Sequence, residues 1–290
     1  MLLNWPQIED SLRADFGSGF RLRQAVPVSR GDINLAFRLV TNQELYFIKL
    51  NTPDRLAMFE AERAGLVELA RCDALAVPKP LAVGCNADAA YLCLSWLDFS
   101  AQTDQTALGE AVARLHQIKG KQFGWWANNF IGTSVQHNQY TDNWADFFWT
   151  MRLQPQLLQM VQAGSSFSEL ALQPLERAVR SLLGGRDYMP CLVHGDLWHG
   201  NAGSTVAGAP CLFDPAPYWG HAETDIAMAQ LFGGFTPAFF AAYHALCPPE
   251  EGADERRLVY QLYHLLNHYN LFGGSYLDRC TATIAKIIAL

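Results

Sequence analysis

The sequence predicts an α+β fold of two unequal lobes: a smaller one built on a five-stranded antiparallel sheet with a helix, and a larger, mainly helical one. Three observations carry this. Strand-like runs crowd the chain before Trp96, helical periodicity takes over from Thr106, and 290 residues is long for a single core. Half the residues are hydrophobic and only 17% are charged, so both lobes can bury a core and global disorder is excluded. The boundary is placed between residues 95 and 96.

Asn4 can cap a first helix, with Pro6 tolerated in its first turn, Ile8 and Leu12 on one face, and Gly17-Ser18-Gly19 ending it. Three strand-like runs follow, Arg21 to Val28, Leu35 to Thr41 and Glu44 to Leu50, the last two joined by a tight hairpin at Asn42-Gln43. Between the first two lies Ser29-Arg30-Gly31-Asp32-Ile33-Asn34. A Gly-containing turn between antiparallel strands can lay its backbone over phosphates, and it can equally be a plain hairpin turn.

Lys49 shares a strand face with Leu45 and Phe47, and a charge on an apolar face wants a partner. The helix expected over Asp54 to Ala70 has an apolar stripe of Leu56, Phe59, Leu66 and Leu69. At about 100° per residue, Glu62 falls roughly 50° from the centre of that stripe and Glu60 more than 100° away, so Glu62 is the candidate partner. The alternative is a solvated Lys and a surface Glu. Val77 to Gly84 and Ala90 to Trp96 complete the sheet, and Leu94-Ser95-Trp96-Leu97 falls at the junction of the lobes.

Leu108, Val112 and Leu115 mark a helix ending near Gly120, after which residues 123–132 read as a loop rich in aromatics and amides. Helical periodicity resumes from Asn143 to Leu158, with an aromatic stripe that reads as core. Further helices are expected over Glu223 to Phe232, after Thr236-Pro237, over Asp254 to Phe272 and over Ser275 to Leu290, with Gly233-Gly234 and Gly273-Gly274 as breaks.

Chemistry concentrates in Cys191 to Asn201, Cys-Leu-Val-His-Gly-Asp-Leu-Trp-His-Gly-Asn, and in Leu212-Phe213-Asp214-Pro215-Ala216. Two short apolar runs with a polar loop between them suggest two adjacent strands that bring Asp196, Asn201 and Asp214 to one rim. Phosphoryl transfer needs such a trio: a carboxylate to orient the acceptor hydroxyl and take its proton, and two oxygen ligands for magnesium. Protein kinases space these groups as His-Arg-Asp, four residues, Asn, then Asp-Phe-Gly. His194-Gly195-Asp196, Asn201 and Asp214 keep that order and spacing. Asp and Asn that merely cap turns are the alternative.

The text His-Gly-Asp-Leu-Trp-x-Gly-Asn followed by Phe-Asp-Pro-Ala-x-Tyr closely resembles the fructosamine (ketosamine) kinases, within the protein-kinase-like and aminoglycoside-phosphotransferase-like superfamily. The resemblance extends to Gly31-Asp32-Ile33-Asn34, Met58 to Glu62, Phe123-Gly124-Trp125, Asn129 with Ile131-Gly132, Tyr218 to Asp225, Leu231 to Phe235, and Leu265 to His268 with Leu271 to Gly274. Arg30, Ser95 and Ala222 depart from it, standing where the family has Gly, often Glu, and commonly Arg.

The resemblance implies a protein-kinase-like fold and ATP-dependent phosphorylation of the third-carbon hydroxyl of a ketosamine, after which the product decomposes to free the amine. By the same resemblance Asp196 is the base, Asn201 and Asp214 hold Mg2+, Lys49 clamps the nucleotide phosphates, and Glu62 anchors Lys49. Gly31, Asp32, Ile33 and Asn34 cover the phosphates, and Leu94, Ser95, Trp96 and Leu97 form the adenine-reading hinge. His194 would brace the catalytic loop, and Glu223 and Asp225 would cap or brace. Trp198 and Trp219, with flat faces that suit a sugar, are candidates for the acceptor pocket, with lobe packing as the alternative for each. A kinase of the same fold with another acceptor, such as an aminoglycoside, choline or a simple sugar, and a nucleotide-binding pseudokinase are the competing functions.

By the resemblance the partner is a small-molecule or protein-bound ketosamine, and composition adds what is not expected. The net charge is −7 with no Lys/Arg run longer than two, which argues against a nucleic-acid groove. No stretch reaches about 18 apolar residues, and the N-terminus lacks a signal pattern, so no membrane is expected. Seven cysteines without Cys-x-x-Cys spacing read as reduced thiols in a cytoplasmic protein. The oligomeric state is left open.

Overall fold

The first element begins where the Asn4 side chain accepts a hydrogen bond from the backbone N–H of Gln7, capping helix α1 (Trp5–Phe16). The structure, a computed structural model, describes residues 3–28, 33–164 and 169–290. Strands β1 (Leu22–Pro27), β2 (Leu35–Thr41) and β3 (Leu45–Asn51), helix α2 (Leu56–Leu69), and strands β4 (Pro80–Cys85) and β5 (Ala90–Ser95) follow. The five strands form one antiparallel sheet in the order β1-β2-β3-β5-β4. Pro80, with no N–H to donate, is accommodated because β4 is an edge strand. At the Asn42-Gln43 turn the Thr41 hydroxyl accepts hydrogen bonds from the N–H groups of Gln43 and Glu44.

Strand alternation sorts the side chains. Tyr46, Ile48, Leu50, Tyr91 and Cys93 pack on Ile8 and Leu12 of α1, and Leu92 and Leu94 pack on Met58, Phe59 and Leu66 of α2. Lys49 pairs with Leu92 and so lies on the α2 face. The far end of α2 packs on the larger lobe: Leu69, with Cys72 and Leu75 beyond it, contacts that lobe's core.

The larger lobe opens with α3 (Gln105–His116). A short hairpin, β6 (Asn129–Ile131) and β7 (Ser134–Gln136), precedes a continuous helical run of α4 (Trp144–Phe147), a π-helical segment (Phe148–Leu153) and α5 (Gln154–Gln162). Then come α6 (Leu172–Leu183), strands β8 (Cys191–Val193), β9 (Ala202–Ser204), β10 (Pro210–Leu212) and β11 (Tyr218–Gly220), and helices α7 (Glu223–Leu231), α8 (Pro237–Leu246), α9 (Ala253–Phe272) and α10 (Tyr276–Ala289). The aromatic stripe Trp144, Phe147 and Phe148 is buried against Tyr260 and Tyr263 of α9, as core.

Three expectations change. Residues 129–136 form a hairpin rather than a loop, and α6 lies where the sequence suggested no element. The two apolar runs around the central loop are strands but do not pair with each other. β10 pairs with β9, which the intervening chain supplies, and β8 pairs with β11, because the turn after Asp214 sends the chain back alongside it. All seven cysteines are free thiols, and burial pushes Cys93, Cys191, Cys211 and Cys280 up to about 12.

Candidate active site

The loop after β8 is shaped by a residue that has no Cβ. Gly195 has φ +82°, and a Cβ there would sit 1.9 Å from the Ala216 carbonyl oxygen. The loop backbone is held from below by Asp225, on the first turn of α7. Its carboxylate accepts from the N–H of His194 at 2.6 Å and of Gly195 at 2.9 Å, and from His116 Nε2 at 3.1 Å. Burial alone would raise the Asp225 carboxyl, but the hydrogen bond and charge of His116 and the contact with His194 outweigh it and hold it below the ordinary aspartate value.

His194 closes the loop from above. Its Nε2–H donates to the Phe213 carbonyl at 3.0 Å, so Nδ1 is left as the acceptor for the Asp196 N–H at 3.3 Å. Burial pulls the imidazole pKa down, which suits this neutral tautomer. The histidine thereby ties Asp196 to the residue preceding Asp214. Glu223 is engaged by Arg256 through two hydrogen bonds of 2.6 and 2.8 Å and takes no part in the cleft, so both acids brace.

Asp196, Asn201 and Asp214 meet in one cleft of about 660 Å³ between the lobes. The Asn201 amide donates to the Asp196 carbonyl at 3.0 Å and to its carboxylate at 3.1 Å, leaving Oδ1 with no hydrogen-bond partner among the described residues. Burial, then the nearby Asp214 carboxylate, raises the Asp196 carboxyl to about 7 against the opposing hydrogen bond from Asn201. Asp214 has φ 57°, and among the described residues no other non-glycine has positive φ; such strain is typical of functional positions. A free amide oxygen beside a partly exposed carboxylate is a hard-oxygen donor set of the kind magnesium takes.

Lys49 reaches into the same cleft from the sheet. Its Nζ donates to Glu62 Oε1 at 2.7 Å and to Asp214 Oδ1 at 2.5 Å. Burial would lower its pKa, but the two carboxylates, Asp214 first, overcome that and keep the ammonium charged. Glu62 is the partner, as the helix geometry predicts, and Glu60 is exposed.

Ile33 and Asn34 line the cleft at the start of β2, held by Asn51, whose amide donates to the Ile33 carbonyl at 3.1 Å and to Asn34 Oδ1 at 2.8 Å. Gly31 and Asp32, with Arg30, lie outside the described residues. Trp198 lines the cleft beside Asp196.

Trp219 does not line the cleft. It sits in β11 opposite Leu192, with Trp125 against one side and the Arg71 guanidinium 5.7 Å from its ring centroid, so it packs within the larger lobe. Nor do Leu94, Ser95, Trp96 and Leu97 line it. Leu94 is core, Ser95 Oγ accepts from the Lys79 N–H at 2.9 Å, and Trp96 Nε1 donates to Asp98. The wall beyond them is made by Phe99, Ser100 and Ala101. Sequence reasoning missed these and also Asn129, Asn267 and His268, which line the cleft; the last three stood in motifs of the resemblance that had no role attached.

The fructosamine kinase family model matches residues 4–290. A probable ketoamine kinase of Synechocystis sp. is 42% identical over 289 residues, which is 99% of this chain and 97% of that one. A chloroplastic protein-ribulosamine 3-kinase of Oryza sativa subsp. japonica is 34% identical over 268 residues, covering 90% of this chain and 77% of the relative. Among solved structures, a protein from Haemophilus somnus assigned as a fructosamine-3-kinase superposes with a TM-score of 0.90 at 30% identity, over 98% of this chain and 97% of that one. In sequence along almost its whole length, and in the arrangement of both lobes, the chain belongs to the fructosamine kinase family.

Proposed function

We propose that the protein transfers the γ-phosphoryl group of ATP to the hydroxyl on the third carbon of a ketosamine, small or protein-bound, and that the unstable product then releases the free amine. The observation that carries this is the convergence of Lys49, Asp196, Asn201 and Asp214 on one cleft. Asp196, with a raised carboxyl, orients the acceptor hydroxyl and takes its proton. Lys49 exchanges its contact with Asp214 for the nucleotide phosphates while Glu62 keeps it in place. Asn201 Oδ1 and the Asp214 carboxylate are the groups that would hold magnesium, which when bound neutralises charge on the phosphate oxygens. Ile33 and Asn34, continuing from Gly31 and Asp32, cover the phosphates. Phe99, Ser100 and Ala101, just past the expected hinge at residues 94–97, wall the cleft where adenine would lie, and Trp198 packs on the sugar of the acceptor.

In this reading residues 1–95 are the nucleotide-binding lobe and residues 96–290 the catalytic and acceptor lobe. A cytoplasmic location is supported by the seven free thiols. Among the described residues no helix is long and apolar enough to cross a membrane. The test is coupled detection of ADP with fructosamine, ribulosamine and erythrulosamine derivatives, beside an aminoglycoside, choline and free sugars. Turnover on at least one ketosamine, with none on the other acceptors, is expected. Turnover on the other class alone overturns the acceptor assignment, and nucleotide binding without turnover on any acceptor overturns the enzyme.

A further inference from the structure

Arg152 is fully buried on the π-helical segment and has no carboxylate partner among the described residues. Its charge is met instead by dipoles and rings. Nη1 donates to the carbonyls of His137 and Met151, Nη2 donates to Asn138 Oδ1 at 2.7 Å, and the guanidinium lies 4.0 Å from the ring centroid of Tyr218 and 4.6 Å from that of Phe147. A buried cation held in this way is costly to keep. The helix widens by one residue per turn to place it, as π-segments often do at functional sites.

The hydrogen bonds that start at Arg152 run in one direction. A guanidinium can only donate, so Asn138 must turn its oxygen to Arg152 and its NH2 to Asn129 Oδ1, at 2.7 Å. Asn129 therefore presents its NH2 to the Pro217 carbonyl, at 2.8 Å. Gln136 donates to the same Asn129 oxygen and to the Ala216 carbonyl, both at 2.9 Å, while its own oxygen accepts from the Tyr263 hydroxyl at 2.8 Å. Side-chain amides can be turned end for end, and here the donor-only guanidinium at one end and the acceptor-only carbonyls of Ala127, Pro217 and Ala216 agree on one orientation for all three.

The relay ends on the two carbonyls of the turn that leaves Asp214. The Ala216 oxygen is also the atom against which Gly195 is fitted, and the Ala216 N–H donates to the His194 carbonyl at 2.9 Å. We infer that Arg152 is a positioning residue: it anchors the donor end of an amide relay through Asn138, Asn129 and Gln136 that places the Asp214 carboxylate for its metal. The inference rests on the phosphotransferase reading only in naming that metal.

Two substitutions test it. Asn138→Asp gives the buried arginine a carboxylate but removes the donors to Asn129 and to the Ala127 carbonyl, so a site that serves only to neutralise the arginine would be strengthened and the relay broken. Expected for Asn138→Asp are an unchanged or higher melting temperature and an affinity for magnesium with a non-hydrolysable ATP analogue about tenfold weaker by calorimetry. Turnover should fall with it, and the acceptor KM should move less than about twofold. Arg152→Met should show the same loss, and Arg152→Lys, still donor-only, should recover part of it. Wild-type metal and nucleotide binding in folded Asn138→Asp overturns the inference. Failure of that variant to fold also overturns it, since the relay would then serve the fold alone. Because calorimetry needs no acceptor, failure of the ketosamine assignment leaves this result readable.

Discussion

Two aspartates in one cleft carry different work, and their surroundings separate them. Asp196 is half-buried, shares a hydrogen bond with Asn201 and has a raised carboxyl, whereas the Asp214 side chain is 45% exposed and contacts Lys49. Asp214→Asn should weaken magnesium-dependent nucleotide binding and turnover together, since an amide oxygen is a poorer ligand for a hard cation. Asp196→Asn should leave magnesium-ATP affinity nearly unchanged while turnover falls by roughly 10² to 10⁴-fold, the usual contribution of a positioned base. Calorimetric titration beside steady-state kinetics on a ketosamine compares the two directly. Loss of nucleotide binding in Asp196→Asn with normal turnover in Asp214→Asn would reverse the roles.

At the scale of elements, the loop between β8 and β11 depends on one missing atom. Gly195→Ala must push the Ala216 carbonyl away and adopt a left-handed backbone angle, at a cost of roughly 1–3 kcal/mol for the strain alone. A lower melting temperature and at least a tenfold drop in kcat are expected, and an alanine variant with wild-type turnover would show that the turn is loose. The sequence allowed some of these elements to be read and not others. Lys49 and Glu62 were found because each lies in an element long enough for its period to be measured. β8, β9 and β10 have three residues each, so no period marks them, and their partners are chosen by turns and side-chain anchors distant in sequence. The position of Trp219 was lost with the same pairing, since it is β8 that draws this residue away from the cleft. Asn129 and Gln136 were hidden for another reason: an amide in a sequence does not show which carbonyl it will face.

Across the whole molecule, buried imidazoles set the response to acid. His221 and His264 are pulled down to about 3, chiefly by burial. Their unfolded value is about 6.5, so below it the unfolded chain binds a proton at each that the folded chain refuses. Stability from these two groups is therefore lost as pH falls through about 6.5, by roughly 1.4 kcal/mol per pH unit each once fully below it. Asp196 works the other way, holding a proton at about 7 that the unfolded chain sheds near 4. The urea midpoint should fall between about pH 6.5 and 5, and Asp196→Asn, which removes the opposing group, should make the fall steeper. A midpoint that rises as the solution is acidified would mean that the imidazoles are charged in the native state.

Helix α2 is gripped at both ends, by the sheet through Met58 and Phe59 and by the larger lobe through Leu69, with Cys72 and Leu75 just beyond. Between the grips, Gly65 lies so close to the Pro217 ring that an added methyl would stand 2.9 Å from it. The small lobe thus has a second attachment besides the covalent strap at the lobe junction, residues 94–97. A nucleotide that needs a wider mouth must peel apolar side chains from a packed surface as well as flex that strap. Its entry and exit should consequently be slow when cold and quicken steeply on warming, the signature of a buried seam being opened rather than of a free joint swinging.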